Sequence, residues 1–195
     1  ARDLASAGAD PPGRDDLPGE AEWPAAGKNA VFRCLATFGC DAKPVQLGHC
    51  HTANGAWRVY AFAGSDDPSS ESCRVRKLAD FLASDPDSPV VKCTPDGADI
   101  DSVIDFRAVY QTPHRGLERT VVHPFLTPIK GRLGLKDYEK IFCVNDYKNI
   151  YEMRGIDKID GCIVVVRPDQ YVAMVLPLTG HKELTTFFSR CLTGA

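Results

Sequence analysis

The distribution of apolar and polar residues near the end of the chain predicts a β-hairpin. Residues 161–178 read GCIVVVRPDQYVAMVLPL, in which two apolar runs flank a short polar segment. The runs 162–166 and 171–176 are apolar on both faces, which predicts two central strands covered from two sides. Pro168 has the φ angle needed at the second position of a type I turn, so we expect Arg167-Pro168-Asp169-Gln170 to turn the chain.

The first half of the chain predicts a strand, a helix and a second strand in that order. Residues 57–63, WRVYAFA, are rich in aromatic and β-branched residues and lie between glycine-containing segments, which indicates a strand. After a polar loop, residues 73–85 have apolar side chains at helical spacing. These side chains are Val75, Leu78, Ala79 and Leu82. Residues 100–111 alternate apolar and polar side chains, which predicts a strand with one buried face.

The remaining segments give weaker patterns. Residues 89–93, PVVKC, are interpreted as a short strand, and residues 29–46 as an extended segment leading into the domain. The region 112–145 is rich in Pro and Gly and is interpreted as mostly loop, followed by a helix over 146–153. A last helix is predicted after Pro177, because its apolar residues recur at helical spacing. These residues are Leu184, Phe187, Phe188 and Cys191.

This order of elements is that of the thioredoxin fold, an α/β fold with a mixed sheet and helices on both faces. We therefore expect one thioredoxin-like domain over residues 29–195. Residues 1–28 are rich in Ala, Gly, Pro and Asp and have few large apolar side chains, so we expect a disordered tail or linker there.

Composition and charge narrow the classes of partner. The formal charge is −3 and the basic residues are dispersed, which argues against a nucleic acid or a membrane as partner. The eight cysteines include no C-x-x-C pair, so we expect free thiols in a reducing compartment, the cytoplasm. The triplet His49-Cys50-His51 is not expected to bind metal, because neighbouring ligands on an extended chain point to opposite faces. Cys34, Cys40 and Cys50 have no assigned role.

Several longer segments of the sequence resemble those of a known protein family. They are KPVQLGH, WRVYAFAG, DIDSVIDFRAVYQ, KGRLGLKDYEKIF, YEMRGID, and GCIVVVRPDQYVAMVLPL followed by FF. Together they resemble the C-terminal domain of the flavoprotein aromatic hydroxylases of the phenol 2-monooxygenase family, over roughly residues 30–192. The resemblance implies a thioredoxin-like domain that serves in dimerisation and follows the FAD-binding and substrate-binding portions of the enzyme.

The resemblance leads to a first hypothesis about function. The sequence has no G-x-G-x-x-G after a strand and no second flavin motif, so we expect the chain to bind no cofactor and to perform no flavin chemistry. We expect protein association instead, with a second copy or with a flavoprotein hydroxylase. The chain is interpreted either as a domain of a longer enzyme or as a free-standing relative.

Two alternative hypotheses give the chain chemistry of its own. In the first, a free-standing module binds an aromatic or polyketide-derived small molecule and catalyses a cofactor-independent cyclisation, dehydration or isomerisation. Its acid-base residues would be Tyr110, His114, Arg115 and His123. In the second, Cys73 acts as a reactive thiol, because it lies at a predicted helix N-terminus, where the helix dipole favours thiolate.

One charged residue has a structural interpretation. Arg107 lies in the mostly apolar predicted strand 100–111, where a charge requires a partner. We expect an ion pair with Asp105 or Asp157.

Overall fold

The computed structural model describes residues 35–39, 42–145 and 149–192. Within these ranges the chain forms nine strands and four α-helices. The strands are β1 (Leu35–Phe38), β2 (Pro44–Gln46), β3 (Trp57–Phe62), β4 (Ile104–Tyr110), β5 (Ile129–Lys130), β6 (Leu135–Lys136), β7 (Ile141–Val144), β8 (Cys162–Val166) and β9 (Val172–Leu176). The helices are α1 (Arg74–Ser84), α2 (Pro89–Cys93), α3 (Ile150–Arg154) and α4 (His181–Cys191).

Seven of the described strands form one mixed sheet, in the order β2-β1-β7-β4-β3-β8-β9. The central strands β3, β4 and β7 are parallel, and β8 and β9 continue the sheet antiparallel on one side. The succession β3-α1-β4, then α3-β8-β9-α4, is the predicted order of elements. The predicted α/β class and thioredoxin-like architecture are confirmed.

The two faces of the sheet are covered unequally. On one face, α1, α2 and α4 pack over an apolar layer that includes Val59, Phe106 and Val165. On the other face, only the short α3 and a single helical turn at 47–50 cover a smaller layer that includes Tyr60 and Phe142, as far as the described residues go. The residues predicted to form the buried stripe of α1 are those that are buried.

The hairpin at 161–178 forms as predicted, with one difference. Gln170 N–H donates to the Arg167 carbonyl at 2.9 Å, and the Arg167 guanidinium pairs with Asp169 at 2.6 Å. β8 is fully buried, but β9 lies at the edge of the sheet and is half-buried at most of its positions. The prediction that both strands are central is therefore wrong for β9, because an apolar run does not distinguish an edge strand whose faces are covered from a central strand.

The predicted strand at 89–93 is wrong, because this segment is helix α2. Ser88 caps the helix, since its Oγ accepts hydrogen bonds from Val90 N at 3.1 Å and Val91 N at 3.4 Å. Pro89 occupies the first turn, where a missing N–H costs nothing. This Ser-Pro start signal outweighs the strand preference of two valines.

Other predicted boundaries also change. The strand over 100–111 contracts to β4, and all seven of its residues are buried, so the expectation of a single buried face is wrong. The loop-rich interpretation of 112–145 missed β7, which joins the sheet between β1 and β4. The helix predicted at 146–153 is observed as α3, while residues 146–148 lie outside the described ranges.

The predicted tail, residues 1–28, lies outside the described residues and stays a prediction, as does the domain boundary at residue 29. Among the described helices, none combines the length and the apolar character needed to cross a membrane.

Candidate association surface

A small hairpin stands apart from the main sheet. Among the described strands, β5 and β6 pair only with each other, and the Asp137 N–H closes the hairpin on the Pro128 carbonyl at 2.9 Å. Gly131 and Gly134 make the turn, with φ angles of 64° and 62° that favour glycine. We call residues 128–138 the apolar arm.

The arm exposes large apolar side chains. Leu133 is 77% exposed, and Ile129 and Leu135 are each 66% exposed. Tyr138, at the base of the arm, is 37% exposed. Since burying one Leu or Ile side chain contributes about 1.5–3 kcal/mol, an exposed group of this kind favours contact with another protein surface.

Partly buried and buried ion pairs hold the base of the arm. Lys130 Nζ lies 2.6 Å from Asp101 Oδ2 and 3.1 Å from Asp137 Oδ2. Lys140 Nζ contacts the carboxylates of both Asp101 and Asp105. The arm is thereby connected by charges to Asp105 in central strand β4, which limits its freedom to move relative to the sheet.

Asp105 is the centre of this group, which we call the ionic cluster: Arg58, Asp101, Asp105, Arg107 and Lys140. Arg107 Nε donates to Asp105 Oδ2 at 2.9 Å, and Arg58 Nε lies 3.8 Å from the same oxygen. Burial alone would raise the pKa of Asp105, but the charges of Arg107 and Lys140 outweigh it and lower the pKa below its ordinary value. Asp105 is therefore ionised at neutral pH.

The predicted Arg107–Asp105 ion pair is confirmed, and Asp157 is not involved. Asp157 Oδ1 instead accepts backbone N–H bonds from Ile159 at 2.6 Å and Asp160 at 2.9 Å. Lys140 and Arg58 also belong to the cluster, although neither was predicted to form an ion pair. Their signal was a charge beside or within an apolar run, as in EKIFCV and WRVYAF.

The residues proposed for acid-base catalysis occupy different environments. Tyr110 is buried on the α1 face of the sheet, and burial raises the pKa of its phenol. His123 caps the helical turn at 124–126: its Nδ1 accepts from Phe125 N at 3.1 Å, and its Nε2 bonds Asp80 at 2.9 Å. His114 is half-buried and Arg115 is exposed in the turn at 113–116.

No hydrogen bond or ion pair among the described residues joins any two of these four side chains. Two cavities of the described chain lie elsewhere. One is an open depression of about 480 Å³ lined by residues of 151–159, and the other, of about 10 Å³, lies beside Tyr138 and Leu117. The acid-base hypothesis stays a prediction, and no contact in the described structure favours it.

The thiol proposed as a nucleophile is placed as expected but is covered. Cys73 is the N-cap of α1, which agrees with its predicted position. It is only 2% exposed, so a reagent in solution does not reach its sulfur in this conformation. The thiol hypothesis also stays a prediction.

Cys50 and His51 of the 49–51 triplet make ordinary contacts. His51 Nε2 bonds the Tyr60 hydroxyl at 2.9 Å, and Cys50 Sγ lies 3.7 Å from the Gln46 carbonyl. Burial, together with the charges of Arg58 and Arg107, lowers the pKa of His51 to about 4. The six cysteines within the described ranges have free thiols, while Cys34 and Cys40 lie outside those ranges.

Comparisons with known proteins agree with the fold and with the resemblance noted in the sequence. Over residues 32–195 the chain matches the family model described as phenol hydroxylase, C-terminal dimerisation domain. It is 49% identical over 152 residues to a 3-hydroxybenzoate 4-monooxygenase of Comamonas testosteroni, covering 76% of this chain and 24% of that protein. It is 30% identical over 158 residues to the FAD-dependent monooxygenase terD of Aspergillus terreus, covering 78% of this chain and 26% of that protein.

The chain thus spans about a quarter of the length of these curated relatives. A solved structure of the bacterioferritin comigratory protein of Xanthomonas campestris superposes with a TM-score of 0.50 at 13% identity, covering 92% of this chain and 99% of that one. This likeness concerns the fold alone. On the family match and the 49% identity, the chain belongs to the family of phenol hydroxylase C-terminal dimerisation domains.

Proposed function

We propose that this chain holds two copies of a flavin-dependent aromatic hydroxylase together, and that the apolar arm makes the main contact. The observation that carries the proposal is the exposure of Ile129, Leu133 and Leu135 on a hairpin outside the main sheet. The family of dimerisation domains and the monooxygenase relatives support it. The proposal also places the protein in the cytoplasm, in keeping with its free thiols.

The base of the arm makes it suited to binding. Association costs free energy when flexible groups must be ordered, and this cost is smaller for a surface that is already held in position. The ion pairs of Lys130 with Asp101 and Asp137 hold the arm before any partner arrives. More of the free energy of burying its side chains is then available for association.

The oligomeric state of the 195-residue chain tests this function. We expect a dimer in light scattering after gel filtration, and an Ile129→Asp variant whose dimer dissociates at least about tenfold more readily, because an aspartate cannot be buried cheaply in an apolar contact. Ile159→Asp is the matched control, since Ile159 is 68% exposed and lies outside the arm.

The control should remain as dimeric as the unmodified chain. A chain that is monomeric at every accessible concentration would contradict self-association. Equal weakening by both substitutions would show that the arm is not the specific contact.

A further inference from the structure

An acidic loop lies directly beside the apolar arm. The loop at 94–99 exposes Asp96 and Asp99, and Asp99 Oδ1 accepts a hydrogen bond from the Gly131 N–H at 3.2 Å. Thr94 Oγ1 fixes the start of the loop through the Val90 carbonyl at 2.7 Å. The turn of the arm and the acidic loop therefore form one continuous surface.

The arm has the opposite charge. It contains Lys130, Arg132, Lys136 and one acidic residue, Asp137, so its formal charge is +2. Lys130 and Asp137 pair with each other, which leaves Arg132 and Lys136 as exposed charges that no described residue pairs. Because the whole chain has a charge of −3, the chain outside the arm carries −5. The exposed Asp96 of the 94–99 loop gives a second copy a local acidic surface that complements the arm.

A two-fold axis between two copies would bring the arm and the acidic loop of each copy into the same interface. In a two-fold contact, if one residue touches another across the interface, the reverse contact also occurs. Arm against arm would bring Arg132 and Lys136 toward the same cations of the other copy, which is unfavourable. Arm against loop pairs opposite charges twice, and Val91, which is 42% exposed near the loop, offers apolar surface for Leu133.

We infer that each copy places its arm on the 94–99 loop of the other copy, with Arg132 and Lys136 facing Asp96. The inference rests on the proposed self-association and specifies its geometry. Asp99 remains bound to the Gly131 N–H of its own arm and fixes the spacing between the two parts of the surface. The contact is reciprocal and closed, so it produces a dimer and no longer chain of copies.

A charge exchange tests the inference on the 195-residue chain. The arm variant is Arg132→Asp with Lys136→Asp, and the loop variant is Asp96→Arg. We expect each variant alone to dimerise at least about tenfold more weakly than the unmodified chain, because like charges then face each other at both contacts. Mixed in equal amounts, the two variants should form a heterodimer, since opposite charges meet again in both contacts.

Glu71→Arg is the control, because Glu71 is an exposed acid outside the loop. It should neither weaken the dimer nor form heterodimers with the arm variant. An arm variant that dimerises as well as the unmodified chain, or a mixture that restores nothing, overturns the inference while the proposed function stands. A monomeric unmodified chain overturns both, and would assign the arm to another part of a longer enzyme.

Discussion

Buried charged residues in the sheet stabilise the fold through ion pairs with one another. Lys140, 2% exposed, contacts two carboxylates at once, and Arg107 and Arg58 surround one of them. Removing Lys140 takes a charged partner from both Asp101 and Asp105, and both carboxylates stay buried. Such a loss costs more than the pair contributed, because a buried carboxylate that loses its partner has no water to replace it.

We expect Lys140→Met to lower the free energy of unfolding by about 3 kcal/mol, as for other buried pairs that lose one partner. Lys158→Met is the control: Lys158 pairs with Glu152 at 2.8 Å, but both side chains are exposed. Its effect should stay below about 1 kcal/mol. Urea unfolding measures the loss in free energy of unfolding for both variants. Equal losses would show that the buried ion pairs contribute no more to stability than an exposed pair.

His51 makes stability depend on pH. Its pKa is about 4 in the folded protein and 6.5 as the ordinary value, so between these values the unfolded chain binds more protons. Stability therefore falls as the pH drops from 6.5 toward 4. Because the ring keeps some contact with solvent, we expect a loss of about 1 kcal/mol between pH 7 and pH 5.

Urea unfolding at the two pH values measures this loss. His51→Asn should reduce the difference between them, whereas His49→Asn, at an exposed neighbour, should leave it unchanged. An undiminished pH dependence in His51→Asn would assign the effect to other groups.

At the scale of the elements, Gly161 allows the loop before β8 to approach the end of β3 closely. Gly161 has a φ of 63°, and a Cβ there would lie 2.2 Å from the Phe62 carbonyl oxygen. Gly97 has a similar φ of 76°, but nothing lies within 4 Å of its Cβ position. Both glycines have a positive φ angle, and they differ only in the space available for a Cβ atom.

Gly97→Ala should cost about 1–2 kcal/mol of stability, the ordinary cost of a left-handed alanine. Gly161→Ala should cost at least about 2 kcal/mol more, because backbone must move to relieve the clash. Thermal or urea unfolding of the two variants gives the difference. Equal losses would mean that the approach between Gly161 and β3 is loose.

Elements with a long periodic pattern of apolar residues, or with characteristic turn residues, were predictable from the sequence. The stripe of α1 and the turn at Arg167–Gln170 were placed closely, because each follows from local geometry. The short elements α2 and β7 were not: four or five apolar residues fit a strand or a helix equally well. Their state depends on a capping serine and on neighbouring strands that are distant in the sequence.

At the scale of the whole molecule, the order of elements established the fold, but it did not reveal the surface. The arm was interpreted as loop, because its strands have only two residues each and two glycines lie between them. Whether Ile129 or Leu133 is buried depends on what covers it, which no local pattern states. The surroundings of Tyr110 and His123 do not follow from the local sequence either. Both residues are close in sequence to His114, but Tyr110 is buried and His123 bonds Asp80.

The separate two-stranded sheet of the arm has a consequence for how related proteins can diverge. Within the described part of the chain, its turn, residues 131–134, shares no backbone hydrogen bond with the seven-stranded sheet, while its base is fixed by Lys130. If the arm makes the proposed contact, substitutions of Arg132 and Leu133, between the two glycines, would change which copies pair without altering the core. On the proposed contact, related chains could avoid mixed assemblies with one another through changes confined to this single short turn.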